Sequence, residues 1–294
     1  MTTGIRTGPG RRVTVAALQL APVPGDVAGN TGRYLSALRA HGAECDLVVT
    51  PELCLTGYDL RLVAELGHEL AEPLDGPAVT ATADLAATLS TTVVLGMLER
   101  DGDALFDSAV VVTPSGGVHP FRKTHLYPAE IGHFQAGERL VTVDTPAGCL
   151  GPLICFEHAF PEVATTLALA GAQILVIPSA VPVGYEHLLA LRTRARAQDN
   201  QVFAVACNMA GGEFCGRSLI SGPKGQLLAR AGGAAQVLRG SLDLSAIERE
   251  RDVEPSLTMR QPDLYRPDSV VRAARRAARD RLAGGGDDIM DRAH

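Results

Sequence analysis

The stretch CLGPLICFEHAFPE, Cys149–Glu162, runs from apolar sequence into an abrupt polar turn. Cys149–Cys155 reads as a buried strand and Glu162–Ala170 as the helix after it. Pro152 inside that strand deletes one ladder hydrogen bond, so a bulge or an edge position is expected there. Downstream, QILVIP (Gln173–Pro178) is a strand, Tyr185–Asp199 a helix and VFAVAC (Val202–Cys207) another strand. Strands and helices in alternation point to a sheet with helices packed on it. These strands are apolar throughout rather than alternating, which demands cover on both faces.

Upstream, the style is the same. Val13–Leu20 reads as a strand, Asn30–His41 as a helix and Leu47–Thr50 as a short strand ending at Pro51. Helices are expected near Asp59–Leu70 and Pro77–Ser90, the second with proline at its opening position. Thr92–Leu98 and Ser108–Thr113 are rich in β-branched residues, and Asp101-Gly102 between them offers a hairpin turn. Leu140–Asp144 in the middle, and Ser218–Ser221, Leu227–Ala229 and Val237–Leu244 at the end, complete the strands. The class is layered α/β. Periodicity leaves open whether two stacked sheets lie between helical layers or a single sheet is doubly wound.

The 294 residues suffice for one large α/β domain, expected over residues 12–267. Residues 1–11 read as a flexible tail, and 268–294, rich in Ala, Arg, Gly and Asp, as a mobile or partner-docked one. Net charge is −6, and the arginines at Arg272, Arg275, Arg276, Arg279 and Arg281 are answered by Asp280, Asp287 and Asp288. No nucleic-acid footprint results. No secretory leader or transmembrane run is visible, and the six cysteines show no paired metal spacing. A cytoplasmic, disulfide-free chain that contacts neither membrane nor nucleic acid is expected.

Chemistry-bearing residues fall at the ends of apolar runs. Glu52 follows LVVTP, Lys123 follows VHPFR and Cys155 closes CLGPLI. Strand ends open onto loops at one edge of a sheet, where distant residues converge. A thiol with a pKa near ~8.5 is little ionised at neutral pH, so it needs a base to take its proton. A carboxylate can do that and return the proton to a leaving amine, while an ammonium steadies an oxyanion. Each residue alone has a plainer explanation. A strand-end cysteine is more often core, a Glu after Pro often caps a helix, and a Lys flanked by Arg122 and His125 is usually surface charge.

The surrounding words decide between these. TPELCLTGY (Thr50–Tyr58), FRKTHLYPAE (Phe121–Glu130) and LICFEHAFPE (Leu153–Glu162), in that order, closely resemble the three signature segments of the nitrilase superfamily, the carbon–nitrogen hydrolases. QILVIPSA at 173–180, RARAQDNQVFAVACN at 194–208 and GRSLISGPKG at 216–225 extend the resemblance, which covers roughly residues 13–245.

The resemblance implies a four-layer α-β-β-α sandwich that pairs into an eight-layer homodimer and uses no metal or organic cofactor. It implies Glu52 as general base, Lys123 as electrostatic stabiliser and Cys155 as nucleophile, with the Phe156 backbone N–H completing an oxyanion hole. Glu130 matches a second glutamate that positions substrate or water, and Tyr58, His125, Phe134, Ala180 and Tyr185 are the expected pocket residues, with Phe156 a further aromatic candidate. The implied reaction is hydrolysis of a linear amide or N-carbamoyl amine on a small-molecule substrate through a cysteine thioester. Nitrile hydrolysis, acyl transfer and a non-catalytic partner keeping the fold are the alternatives. The chain departs from the family where an arginine often precedes the FPE-like end, since the run here is Glu157, His158, Ala159, Phe160. A Cys155–His158 dyad ranks well below the Glu–Lys–Cys arrangement, because dyad partners are usually distant in sequence. His125, His133, His158 and His187 are expected to line or border the pocket.

Overall fold

The apolar runs become strands and helix faces in a computed structural model that describes residues 12–265. In chain order, β1 (Arg12–Gln19) leads through α1 (Val27–His41) to β2 (Leu47–Val49). Then α2 (Leu60–Leu70) and α3 (Pro77–Leu89) precede β3 (Thr92–Asp101), β4 (Ala104–Val112) and β5 (Val118–Arg122). The second half supplies β6 (Val143–Thr145), β7 (Gly148–Pro152), α4 (Pro161–Leu169), β8 (Ile174–Ser179), α5 (Glu186–Asn200) and β9 (Phe203–Asn208). A small hairpin of β10 (Ala210–Gly211) and β11 (Phe214–Cys215) is followed by β12 (Leu219–Ser221), β13 (Leu227–Arg230), β14 (Gln236–Asp243) and α6 (Ser245–Val253).

Local chemistry sets the helix starts. Asp26 caps α1 by accepting from Gly29 N–H, so that helix begins at Val27 rather than Asn30. Asp59 caps α2 through Arg61 and Leu62 N–H, and Pro77 and Pro161 open α3 and α4, where a missing N–H does no harm.

The strands form two six-stranded sheets, ordered β14-β1-β2-β3-β4-β5 and β13-β12-β9-β8-β7-β6. Val15, Leu47, Val49, Val94 and Val111 of the first join Leu150, Ile174, Val176, Val205 and Ile220 of the second in one buried cluster. On its other face the first sheet packs Ala16, Val48, Val93 and Val110 against Tyr34, Leu38, Val79 and Ala86 of α1 and α3. Leu167 of α4 and Ala172 press on Gly151 of β7, so close that a methyl group there would lie 2.9 Å from the Ala172 side chain. Two stacked sheets flanked by helices therefore replace the single doubly wound alternative.

Three expectations shift in detail. The strand expected at Leu140–Asp144 lies at Val143–Thr145. The strand expected to reach Cys155 stops at Pro152, and Cys155 instead opens a 3-10 turn, Cys155–Ala159. Pro152 pairs with Val176 on β8, while β6 pairs only with Gly148–Leu150, so the proline ring meets no strand on its other side. Helix α6 was not expected, because SAIERERDV is too charged to show an apolar stripe; Ile247 and Glu250 are the residues it buries. The chain divides into one compact unit ending at Glu254 and a second from Pro255, whose described part ends in a 3-10 turn, Pro262–Tyr265. The tails at 1–11 and 268–294 lie outside the described residues. Among the described residues no helix is long and apolar enough to cross a membrane.

Candidate active site

Glu52 leaves β2 along a fixed path. Thr50 Oγ1 accepts from Gly96 N–H at 2.9 Å, and Cys54 N–H donates to Gly96 O at 2.9 Å. A side chain on Gly96 would place its Cβ 2.1 Å from Pro51 O, so only glycine lets this segment lie on β3. Lys123 is held the same way. Its N–H donates to Asp107 O at 2.9 Å and its carbonyl accepts from Gly137 N–H at 2.8 Å.

The two segments bring charges together. Lys123 Nζ lies 2.5 Å from Glu52 Oε1, 2.7 Å from Glu130 Oε1 and 3.1 Å from Asp107 Oδ2. All four side chains are buried. The carboxylate oxygens fall within 4.8 Å of one another, a spacing that could hold a metal ion, and here the lysine ammonium reaches all three. Burial alone would lower the lysine pKa, but Glu52, Asp107, Cys155 and Glu130 outweigh it and hold it well above its ordinary value. Three carboxylates around one ammonium are too many negative charges for a dry site. Burial pushes Asp107 well above the carboxylate range, with Lys123 opposing and Glu52 reinforcing. Burial also raises Glu130, whose Oε1 accepts from Tyr58 Oη at 2.8 Å and whose Oε2 accepts from Tyr127 N–H at 2.8 Å.

Cys155 adopts φ +42°, a left-handed backbone rarely found outside glycine. Glu157 pins the turn. Its Oε2 accepts from Ile154 N–H at 2.7 Å, and its Oε1 accepts from Thr124 N–H at 2.8 Å and Thr124 Oγ1 at 2.5 Å. One buried carboxylate thus ties the cysteine turn to the lysine loop. Burial, then Glu52, push the Cys155 thiol well above its ordinary range, while Lys123 and a hydrogen bond from Ala180 N–H pull it back. The resting sulfur is a thiol and needs a base. Glu52 Oε2 is buried without a hydrogen-bond partner, which leaves it free to serve.

A cavity of about 320 Å³ opens over Cys155 and is bordered by Tyr58, Glu130, Phe156, Ala180 and Tyr185. Phe134 and His125 lie elsewhere, against the sequence expectation. Phe134 packs into an apolar cluster with Leu53, Leu98 and Leu105, and His125 stacks on Phe160 at 4.4 Å. His133 and His187 do not border this cavity either; His158 does. Its Nε2 lies 3.5 Å from Arg192 Nη1, and the groups that shift the Cys155 thiol are Glu52, Lys123, Ala180 and Glu130.

Sequence reasoning passed over Asp107, Glu157 and Arg192. Asp107 carried a usable signal, an acid inside the apolar run ALFDSAVVV, since carboxylates are almost never fully buried unless paired. Arg192 carried none, because a cation in the helix ALRTRARA reads as solvated surface.

Residues 14–252 match the carbon-nitrogen hydrolase family. A hydrolase from the pqqF 5′ region of Pseudomonas protegens is 36% identical over 264 residues, 87% of this chain and 91% of that protein. An (R)-stereoselective amidase from a Pseudomonas species is 36% identical over 225 residues, 74% of this chain and 80% of the relative. The crystal structure of Saccharomyces cerevisiae Nit3, a member of branch 10 of the nitrilase superfamily, superposes with a TM-score of 0.77 at 26% identity, covering 86% of this chain and 97% of Nit3. With both sheets, the helical layers and most of its length accounted for, the chain belongs to the carbon–nitrogen hydrolases of the nitrilase superfamily.

Proposed function

We propose that this carbon–nitrogen hydrolase cleaves a small linear amide or an N-carbamoyl amine through a thioester on Cys155. The observation that carries the proposal is the division of labour within Glu52, whose Oε1 is held by Lys123 while its buried Oε2 has no partner. In the first step Oε2 takes the thiol proton as Sγ bonds to the carbonyl carbon. Negative charge collects on the carbonyl oxygen, next to Lys123 Nζ and the Phe156 N–H near the start of the 3-10 turn, where N–H groups lack acceptors within the turn. Glu52 then protonates the leaving nitrogen, the C–N bond breaks and an acyl thioester remains. In the second half Glu52 takes a proton from water, the hydroxide adds to the thioester, and the sulfur leaves with its proton restored. Glu130, fixed by Tyr58 and Lys123, orients substrate and water. The amidase similarity favours the amide over the nitrile.

The test is a panel of amides, carbamoyl amines and nitriles scored by ammonia release, with intact mass spectrometry to catch the acyl-enzyme. Acid product without an added acceptor is expected. Product only when an amine acceptor is supplied would make the chain a transferase, and no turnover with any substrate would leave a binding partner.

The proposed working form is a cytoplasmic two-fold dimer joined through α4 and α5, where Leu169 and Leu191 are 54% and 63% exposed. Sedimentation at micromolar concentration should show the dimer, and a monomer would refute it.

A further inference from the structure

The carboxylate that pins the Cys155 turn is buried without a lysine or an arginine. Glu157 is 0% exposed, and among the described residues its ion-pair partner is His125, whose Nδ1 lies 3.6 Å from Oε1. A buried carboxylate depends strongly on whatever counter-charge it has, and this one can be titrated. Hydrogen bonds fix how the ring is held. Thr124 Oγ1 has one proton, which points to Glu157 Oε1 at 2.5 Å because a carboxylate can only accept. His125 Nδ1, 2.8 Å from the same hydroxyl, is therefore the donor, and the chain runs from Nδ1–H to Oγ1–H to Oε1. Two backbone groups point the same way, Thr124 N–H at 2.8 Å and His125 N–H at 3.3 Å from Oε1. Nε2 is the nitrogen left to gain or lose a proton.

The ring also reaches the far end of the turn. It stacks on Phe160 at 4.4 Å, and Phe160 N–H donates to Glu157 O at 3.0 Å. Between these anchors Cys155 keeps its left-handed φ of +42°, a conformation that persists only where the surroundings enforce it. The charged groups facing the ring are Glu157 from the turn and Glu162 from the start of α4, both acidic. The contact with Glu157 raises the His125 pKa above its ordinary value, partial burial opposes the rise, and the charges of Glu157 and Glu162 add to it.

We propose that His125 is a positioning residue for the nucleophile: its imidazolium, acting through Thr124 and Glu157, braces the turn that presents Cys155, and the neutral ring braces it less. The ring lies outside the cavity and takes part in no bond-making step. Only the kinetic part of this inference rests on the hydrolase reading.

His125→Asn and His125→Phe separate charge from contact. Asparagine keeps an N–H near the Nδ1 position but cannot ionise, and phenylalanine keeps the stack while losing the donor. A histidine whose folded pKa is raised adds its full stability below the unfolded value of about 6.5, and loses it as pH climbs through the folded value. The parent should therefore melt above His125→Asn at about pH 6, and the gap should close on the alkaline side. The ratio of parent to His125→Asn kcat should follow, falling from about two- to fivefold towards unity with KM unchanged, a small effect because the ring is partly exposed. His125→Phe should lower kcat by about tenfold at both ends of the range. Amide exchange across Cys155–Phe160 needs no substrate. It should be faster in His125→Asn than in the parent on the acid side and equal on the alkaline side. If the parent turns over no amide, the hydrolase reading fails, while exchange and melting still decide whether the ring braces the turn. A kcat ratio, melting gap or exchange difference that stays flat with pH would make the ring a packing residue and overturn the proposal, as would parental kcat in His125→Phe.

Discussion

The two sheets follow one plan. Taken from one edge, β14-β1-β2-β3-β4-β5 and β6-β7-β8-β9-β12-β13 each pair antiparallel, parallel, parallel, antiparallel, antiparallel. Helices α1 and α4 follow the first strand of each parallel trio, and α3 and α5 follow the second. What the strands carry differs sharply. The first sheet contributes every charge around Lys123 except Glu130, which comes from the loop after β5, and the second contributes the thiol and the Ala180 N–H. At the place matching the Cys155 turn, β1 ends in Gln19, a buried amide that braces loops through Ser218 N–H, Gly232 O and Ala234 O. A charge cluster that compensates itself has to be built on one rigid frame, while a nucleophile can approach from the other. The chemistry then depends on how the frames register, and the Glu157 carboxylate is a direct polar tie between them.

Breaking the nucleophile side should have the largest effect. Cys155→Ala should abolish turnover and the acyl adduct, whereas Cys54→Ala and Cys207→Ala should mainly lower the melting temperature, since both are buried core thiols. An adduct on Cys149, which is only half-buried, would reassign the nucleophile. On the charge side, Lys123→Arg keeps the charge but replaces a compact ammonium with a planar fork, which cannot reach three carboxylates in the same geometry. Turnover should fall by at least about 100-fold, and near-parental rates in a folded variant would remove Lys123 from the mechanism. Lys123→Met should also destabilise the fold by about 3–5 kcal/mol, because it strands buried carboxylates, and chemical denaturation would measure it.

The tie between the frames comes next. In Glu157→Gln an amide NH₂ replaces one oxygen, so either Ile154 N–H or Thr124 loses its acceptor. A turn displaced by a fraction of an ångström should lower kcat by about 10- to 100-fold with little change in KM. Slower acyl-adduct formation at Cys155 should accompany it. An unchanged kcat would mean that the sheets stay in register without this bridge.

Part of this division was legible in the sequence. Glu52, Lys123 and Cys155 each end an apolar run, and three ordered segments surround them. The second layer of helices and the doubled sheet came from the resemblance, because apolar strands look alike whether one sheet or two bury them. Two failures share a cause. Phe134 and His125 lie near the right segments, yet side-chain direction depends on loops whose path no local pattern encodes. Phe134 turns to Leu53 and Leu105, and His125 to Phe160. Glu157 and Arg192 were missed for the converse reason, since their partners are 33 and 34 residues away and only the fold brings them close.

Asp107 offers the finest test of the charge side, through the smallest effect. Its Oδ2 accepts from Lys123 at 3.1 Å, and burial raises its pKa well above the usual carboxylate range. A carboxyl that is neutral at working pH can be replaced by an amide of the same shape with little electrostatic consequence. Asp107→Asn should therefore keep kcat within about threefold of the parent at neutral pH, a change of under 1 kcal/mol in the barrier. The alkaline side should separate the two proteins. When the parent Asp107 finally loses its proton, a new negative charge appears beside Lys123 Nζ and weakens its hold on the oxyanion, so turnover falls as pH rises through that ionisation. Asparagine cannot ionise, and the descending limb should move to higher pH in the variant. The groups that face Asp107, namely Lys123, Glu52 and Glu130, remain in place, so any change in the limb belongs to this carboxyl. A loss of 100-fold at neutral pH, or superimposable alkaline limbs, would mean that Asp107 is already ionised at rest and that Lys123 is held by its charge.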